Sequence, residues 1–280
     1  MLIDTHSHIN FFSFNEDRGE VIKRSLDNNV WMINVGINLK TSQEVVAISQ
    51  EYPVGVYAAI GLHPIDLDTG LVKAKFSEEE GNHLEKDFDY QKYKQLAENH
   101  KVVAIGEVGL DYYWKPKTTG KMEQFKQKQK DLLSKELKLA QELNLPIIFH
   151  CRMAHEDLIE ILNTKHLIPN TNLRGVIHCF TGTWEQAQKY MELGFYLGFN
   201  GIIFKLNLDE IIKKTPLERI LIETDCPYLP PIEFKGQRNE PMYVKYIAKR
   251  IAELKGVDIE TIAKITTKNA KLLFSLNNLG

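Results

Sequence analysis

Histidine, glutamate and aspartate recur in this chain at spacings that suit divalent-metal chemistry. In His6-Ser7-His8 the imidazoles stand two residues apart on an extended segment, so both project to one side and can share an ion. Glu107, His150, His178 and Asp225 follow, each at or just beyond the end of a short apolar run, and His63 holds a comparable position. Neutral imidazole suits Zn²⁺, whereas carboxylates suit Mg²⁺ and Mn²⁺. A carboxylate such as Glu107 can offer one oxygen to each of two ions. A lone strand-end histidine is ordinarily a core residue satisfied by a backbone carbonyl; His6, His8, His150 and His178 together with Glu107 and Asp225 require another explanation.

His6 and Asp225 are 219 positions apart, so only a particular architecture can bring the set together. Short apolar runs read as strands at Leu2–Asp4, Trp31–Val35, Val54–Ala59, Val102–Gly106, Ile147–Phe149, Gly175–Ile177, Tyr196–Gly198 and Arg219–Ile222. Most are continuous rather than alternating, as in strands buried on both faces. Amphipathic stretches at Glu16–Asn28, Thr41–Glu51, Tyr90–Asn99, Lys121–Leu143, His155–Asn163 and Trp184–Leu193 read as helices, and Pro241–Lys255 and Asp258–Phe274 close the chain. Eight strands alternating with helices predict an α/β fold, a single-domain (β/α)₈ TIM barrel over 1–280. Such a barrel gathers its strand ends on one face, where active sites sit. The segment Asp66–Lys86, with its Ser-Glu-Glu-Glu-Gly cluster, reads as a solvated excursion or lid.

Composition bounds the rest. The chain has 280 residues, 43% hydrophobic and 26% charged, enough for a large core. A net charge of -2 gives no global basic field, which argues against tight nonspecific binding to duplex nucleic acid but allows a locally positive site. Cys151, Cys179 and Cys226 make no disulfide framework, and those beside the histidines alternate to the opposite side of their strands, where core packing is expected. No signal peptide is visible and no apolar run approaches the ~20 residues of a membrane-spanning helix, so a soluble, cytoplasmic protein is expected. No obligate protein partner is evident.

Around Glu107 the sequence reads Gly106-Glu107-Val108-Gly109-Leu110-Asp111-Tyr112-Tyr113, in which flanking glycines permit close backbone approach. Tyr112, Tyr113 and Trp114 offer faces on which nucleobases can stack, and equally surfaces that pack on helices; Tyr112 is taken as the substrate-facing ring. Asp111 fits a cap or an orienter of a ligand. Ser7 has no base paired with it and is not a nucleophile candidate.

These motifs resemble those of the TatD family of metal-dependent deoxyribonucleases, amidohydrolase-like metallohydrolases. The resemblance runs from Asp4-Thr5-His6-Ser7-His8 through Gly61-Leu62-His63-Pro64, His150-Cys151-Arg152, His178-Cys179-Phe180-Thr181-Gly182, Glu223-Thr224-Asp225-Cys226-Pro227-Tyr228 and Arg238-Asn239-Glu240-Pro241 to Asn269-Ala270-Lys271-Leu272-Leu273-Phe274. It implies one metal on His6, His8, Glu107 and Asp225, and a second on Glu107, His150 and His178. It further implies 3′→5′ exonuclease activity on single-stranded DNA or RNA ends with Mg²⁺; Zn²⁺, Mn²⁺ and Ni²⁺ are alternatives. Two-metal activation of water is the expected mechanism, with Asp225 as ligand and general base. His63 would contact the scissile phosphate, and Arg152 and Arg238 either pair with phosphate or hold loops together. Two departures stand out: Met153 occupies a position commonly acidic in the family, and the stretch between His63 and Glu107 is long. Two rival readings remain, a deacylase, esterase or amidohydrolase on the same metal set (an aminoacyl-tRNA deacylase, for example) and a non-catalytic binding barrel.

Overall fold

The structure is a computed structural model that describes residues 1–72, 84–164 and 173–276. Eight strands form one sheet in the order β1-β2-β3-β4-β5-β6-β7-β8, every neighbouring pair parallel. They are β1 (Leu2–Ser7), β2 (Val30–Val35), β3 (Val56–Ile60), β4 (Val102–Asp111), β5 (Ile147–Arg152), β6 (Gly175–Ile177), β7 (Tyr196–Phe199) and β8 (Ile220–Ile222). The sheet curls back on itself between its first and last strands. There the Asp225 N–H donates to the His6 carbonyl at 2.8 Å, and the His8 N–H to the Cys226 carbonyl at 2.9 Å. Helices α1 (Arg18–Asp27), α2 (Leu39–Gln50), α3 (Tyr90–Leu96), α4 (Thr119–Leu143), α5 (His155–Asn163), α6 (Trp184–Glu192) and α7 (Asp209–Lys214) connect successive strands. Then α8 (Val244–Lys255) and α9 (Ile259–Phe274) follow β8. This is the expected (β/α)₈ barrel.

Local chemistry explains the helix starts. Asn38 and Thr41 cap α2 reciprocally, the Asn38 carbonyl oxygen accepting the Thr41 N–H and the Thr41 hydroxyl accepting the Asn38 N–H, both at 3.0 Å. Thr183 and Gln186 repeat the device at α6. Inside the barrel, Ile3, Ile33, Val35, Tyr57, Ala59, Val103, Ile148, Val176 and Leu221 form one buried cluster, joined by Ala270, Leu273 and Phe274 of α9. A larger apolar layer lies between the strands and the surrounding helices. Truncating a buried aromatic such as Phe149 to alanine would cost about 3–5 kcal/mol.

Two expectations need correction. Strands β1, β4 and β5 run further than their apolar runs, so His6, Glu107 and His150 lie within strands rather than after them. Polar side chains that meet one another above the core extend these strands, where hydropathy alone would end them. Helix α7 was not anticipated; six residues show too little periodicity to read. The excursion expected over 66–86 falls largely on 73–83, outside the described residues. Its two described ends are joined: Asp68 N–H donates to the Glu85 carbonyl at 2.7 Å and Glu85 N–H to the Asp66 carbonyl at 2.8 Å. Among the described residues no helix is long and apolar enough to cross a membrane.

Candidate metal centre

The seven residues His6, His8, His63, Glu107, His150, His178 and Asp225 converge at the C-terminal ends of the strands. The backbone is shaped for this. Register between β4 and β5 slips between Ile105 and Val108, straddling Glu107. Gly109 has φ 148, and a Cβ there would collide with the His150 carbonyl, so only glycine lets β4 approach β5 where Glu107 meets His150. Met153, Cys179 and Asp225 have φ of 56, 45 and 58, positive values that non-glycine residues adopt at a cost of about 1–3 kcal/mol each. All three follow strand ends on the same face, so the surrounding fold holds the chain in these turns.

Glu107 is the hub, 5% exposed, and its two oxygens address different partners. Oε2 lies 3.3 Å from His6 Nε2 and 3.9 Å from His8 Nε2. Oε1 lies 2.7 Å from His150 Nδ1, 3.6 Å from His63 Nε2 and 3.8 Å from His178 Nε2. Asp225 Oδ1 stands 3.6 Å from His8 Nε2 and 3.9 Å from both His6 Nε2 and His178 Nε2. Burial opposes ionisation of Glu107, but the imidazoles around it, His150 nearest at 2.7 Å, outweigh it and hold the carboxyl well below its usual range. Asp225 is also held below the usual carboxylate range, burial again being outweighed, here by His178 and His8.

Contacts behind the imidazoles decide what each can do. His8 Nδ1 donates to the Val35 carbonyl at 2.9 Å, which turns its Nε2 toward Asp225. His178 Nδ1 makes an oblique 2.8 Å contact with Glu223 Oε1. Two lone pairs would repel at that distance, so Nδ1 carries a proton and Nε2 points into the centre. His63 is opposite: its Nδ1 accepts the Ile65 N–H at 3.2 Å, so Nε2 carries the proton toward the centre. Burial and the neighbouring His150 push His63 down to about 3, keeping it neutral. Although His63 Nε2 lies close enough to Glu107 and His150 for the three to be counted as a possible ligand group, its tautomer makes it a hydrogen-bond donor instead. His150 is held at both nitrogens, Nδ1 by Glu107 and Nε2 by Asp111 Oδ2 at 3.0 Å.

This donor set fits divalent cations. His6 Nε2 and His8 Nε2 lie 3.1 Å apart, and the other His6 nitrogen is buried without a partner among the described residues. Burial lowers the affinity of His150 and His178 for a proton, yet the carboxylates outweigh it, raising His150 to about 9 and His178 to about 10. A field that holds protons there so firmly would also hold a cation. Within the reach of one ion lie His6, His8 and Asp225, and separately His6, Glu107 and His178.

Three buried groups escaped the sequence reading. Glu223 is fully buried; besides touching His178 it accepts the Cys179 N–H at 2.7 Å and the Asn200 amide at 3.3 Å. A Cβ on Gly198 would come within 2.5 Å of Glu223 Oε2, so that glycine keeps room for it. Asp4 accepts the Thr224 N–H at 2.8 Å and the His6 N–H at 3.2 Å, tying β1 to the turn that carries Asp225. Gln129 of α4 spans the backbone of Asp111, accepting its N–H at 2.9 Å and donating to its carbonyl at 3.0 Å. Asp4 and Glu223 border apolar runs within motifs already quoted, whereas Gln129, between two lysines, gives no sequence signal.

The cavity above the centre has a volume of about 630 Å³, and among the described residues Arg152 is the one Lys or Arg in its wall. Tyr113, 48% exposed, also lines it, and the Arg152 guanidinium lies 3.7 Å from the centre of its ring. Tyr112 does not: its ring is buried and its hydroxyl donates to Asp157 at 2.8 Å. Successive residues past the end of β4 face opposite ways, which turns Tyr112 inward and Tyr113 outward. Arg238 is likewise not a cavity residue. It pairs bidentately with Asp17 at 2.8 and 2.7 Å, reaches Glu240 at 3.1 Å and donates to the Ser13 carbonyl, so it joins loops. Of the cysteines, Cys226 is buried as expected, but Cys179 is half-buried in the cavity wall, rotated there by its positive φ. Burial pushes its thiol up, and the thiol donates to Asn200 Oδ1 at 3.6 Å, so it is not a ready ligand.

A parallel barrel with histidines and carboxylates gathered at its strand ends defines a metal-dependent hydrolase. The family described as TatD related DNase matches residues 3–275, and the chain belongs to that family. It is 42% identical over 281 residues to a protein of Bacillus subtilis (strain 168) named uncharacterized metal-dependent hydrolase YabD, covering 99% of this chain and 100% of the relative. It is 32% identical over 286 residues to the 3′-5′ ssDNA/RNA exonuclease TatD of Escherichia fergusonii, covering 99% and 100% respectively. Its fold is similar to the crystal structure of YJJV, a TatD homolog from Escherichia coli K12, with a TM-score of 0.80 at 29% identity over 98% of each chain.

Proposed function

We propose that the protein removes nucleotides from the 3′ end of single-stranded DNA or RNA, using two divalent cations, with Mg²⁺ the ion in use. The carrying observation is the division of Glu107, whose Oε2 faces His6 and His8 while Oε1 faces His150 and His178. A carboxylate addressing two groups of imidazoles suits a bridge between two ions, the arrangement that suits in-line displacement at phosphorus. In this reading His6, His8, Glu107 and Asp225 hold one ion and Glu107, His150 and His178 the other. The TatD exonuclease relative supports the choice of nucleic acid and of polarity.

The bound cations would supply the positive charge that makes water acidic and screens the phosphate. The chain's own residues do the rest. Ionised Asp225 lines the cavity and takes the proton that the attacking water loses. Neutral His63 donates its Nε2 proton in a hydrogen bond to a phosphate oxygen, stabilising charge that grows as the P–O bond lengthens. Asp111 holds His150 and Glu223 holds His178, which keeps both imidazoles aimed. Water adds across the P–O3′ bond, freeing a 5′-mononucleotide and leaving a new 3′-hydroxyl.

The test uses metal-stripped protein with 5′- and 3′-labelled single strands, restored with Mg²⁺ or Mn²⁺, beside an aminoacyl ester. Release of the 3′ label first, as mononucleotide and only with metal, is expected. Release of the 5′ label first overturns the polarity, and ester cleavage without strand cleavage overturns the phosphodiesterase reading.

A further inference from the structure

The cavity that holds the metal centre opens beside the loop between β4 and α4, and this loop carries features the hydrolytic site does not use. Tyr113 lines the cavity; the next residue, Trp114, lines a separate groove of about 220 Å³ with Leu71, Val72, Lys115, Pro116 and Lys117. The two rings are 5.2 Å apart at 89°, so the wall of the cavity and the wall of the groove adjoin at them. Arg152, stacked on Tyr113, forms no ion pair or side-chain hydrogen bond among the described residues. The same holds for Lys115 and Lys117, both exposed. Nearby, Lys126 and Lys130 share the single carboxylate of Asp157, at 3.5 and 3.2 Å. Arg152, Lys115 and Lys117 thus flank the place where two aromatic rings lead away from the centre.

We infer that this loop is a track for single-stranded nucleic acid, holding the nucleotides upstream of the bond cut in the cavity. The inference rests on the phosphodiesterase reading. Two neighbouring aromatic faces with unpaired cations on either side match a strand that presents both bases and phosphates, and stacking works for any base. Arg152 stands at the junction, where it meets the phosphate next to the scissile one. Tyr113 and Trp114 take bases, and Lys115 and Lys117 take the phosphates between them. A duplex end would not fit, because its bases are paired and their faces stacked.

The test measures binding of fluorescent dT8 and rU8 to the whole protein by anisotropy in EDTA, where no cleavage occurs, across a salt series. Trp114→Ala should weaken binding roughly tenfold. The pair Lys115→Ala with Lys117→Ala should flatten the slope of log Kd against log salt by about 1.4, two phosphates at about 0.7 each. Stronger binding of dT8 than rU8, or the reverse, identifies DNA or RNA as the favoured strand. Wild-type affinity and slope in both variants would overturn the track, as would failure of the wild type to bind either oligonucleotide. Tight binding of dT8 that the metal-loaded protein never cleaves would overturn the phosphodiesterase reading while leaving the track in place.

Discussion

Glu223 offers the sharpest test of how the centre is held, because a single substitution can remove its charge and leave its shape. Its Oε1 receives the Cys179 N–H, the Asn200 amide and the His178 Nδ1 contact, whereas Oε2 has no partner among the described residues and abuts Gly198. In Glu223→Gln the amide oxygen keeps the Oε1 position and the NH₂ replaces an atom that was already unpaired. Folding stability should therefore change by only about 1 kcal/mol. The negative charge behind His178 is lost, however, and such outer partners typically govern metal affinity by about 10–100-fold, or about 1.4–2.8 kcal/mol. Glu223→Leu instead strands three buried polar groups and should cost roughly 3 kcal/mol or more of stability. Calorimetric titration with Mn²⁺ reads the first effect and urea unfolding the second. The reasoning is refuted if Glu223→Gln binds Mn²⁺ within twofold of wild type while Glu107→Ala abolishes binding.

Three further outcomes follow from the same contacts. His63→Ala should lower kcat by about 10²-fold and leave Mn²⁺ affinity within a few-fold, since its inward nitrogen bears a proton; steady-state kinetics with calorimetry separates the two. His155 is buried beside Tyr190 and Cys151, and burial lowers it from 6.5 to about 4, so the unfolded chain binds a proton in that window and the folded chain does not. Its stability contribution is complete above pH 6.5 and shrinks as pH falls toward 4, by about 2 kcal/mol at pH 5. Urea unfolding of His155→Gln should show a smaller loss between pH 7.5 and pH 5 than wild type, and an equal loss would discard the assignment. Arg238→Ala should lower stability by about 1 kcal/mol through its lost pairs with Asp17 and Glu240, leaving KM for single strands unchanged; a raised KM would return Arg238 to the substrate site.

The sequence by itself determined the alternation of strands and helices and the identity of the residues that converge. Both are written locally: continuous apolar runs mark strands buried on both faces, and His6, His8, His63, Glu107, His150, His178 and Asp225 sit where a barrel collects its strand ends. Tertiary structure alone decided how those residues divide the work. The direction of each imidazole depends on a carbonyl, carboxylate or amide from elsewhere: Val35 for His8, Glu223 for His178, Ile65 for His63. Asp4 holds the Asp225 turn through Thr224, 220 residues away, and no local pattern encodes such a pair. The exchange of Tyr112 for Tyr113 has the same origin. Once β4 passes the apolar run that revealed it, sequence no longer fixes the phase of its alternation, and packing against Asp157 and Arg152 does. Periodicity reports which face of an element is buried; the partners of its polar side chains are set by what the closed barrel brings opposite them.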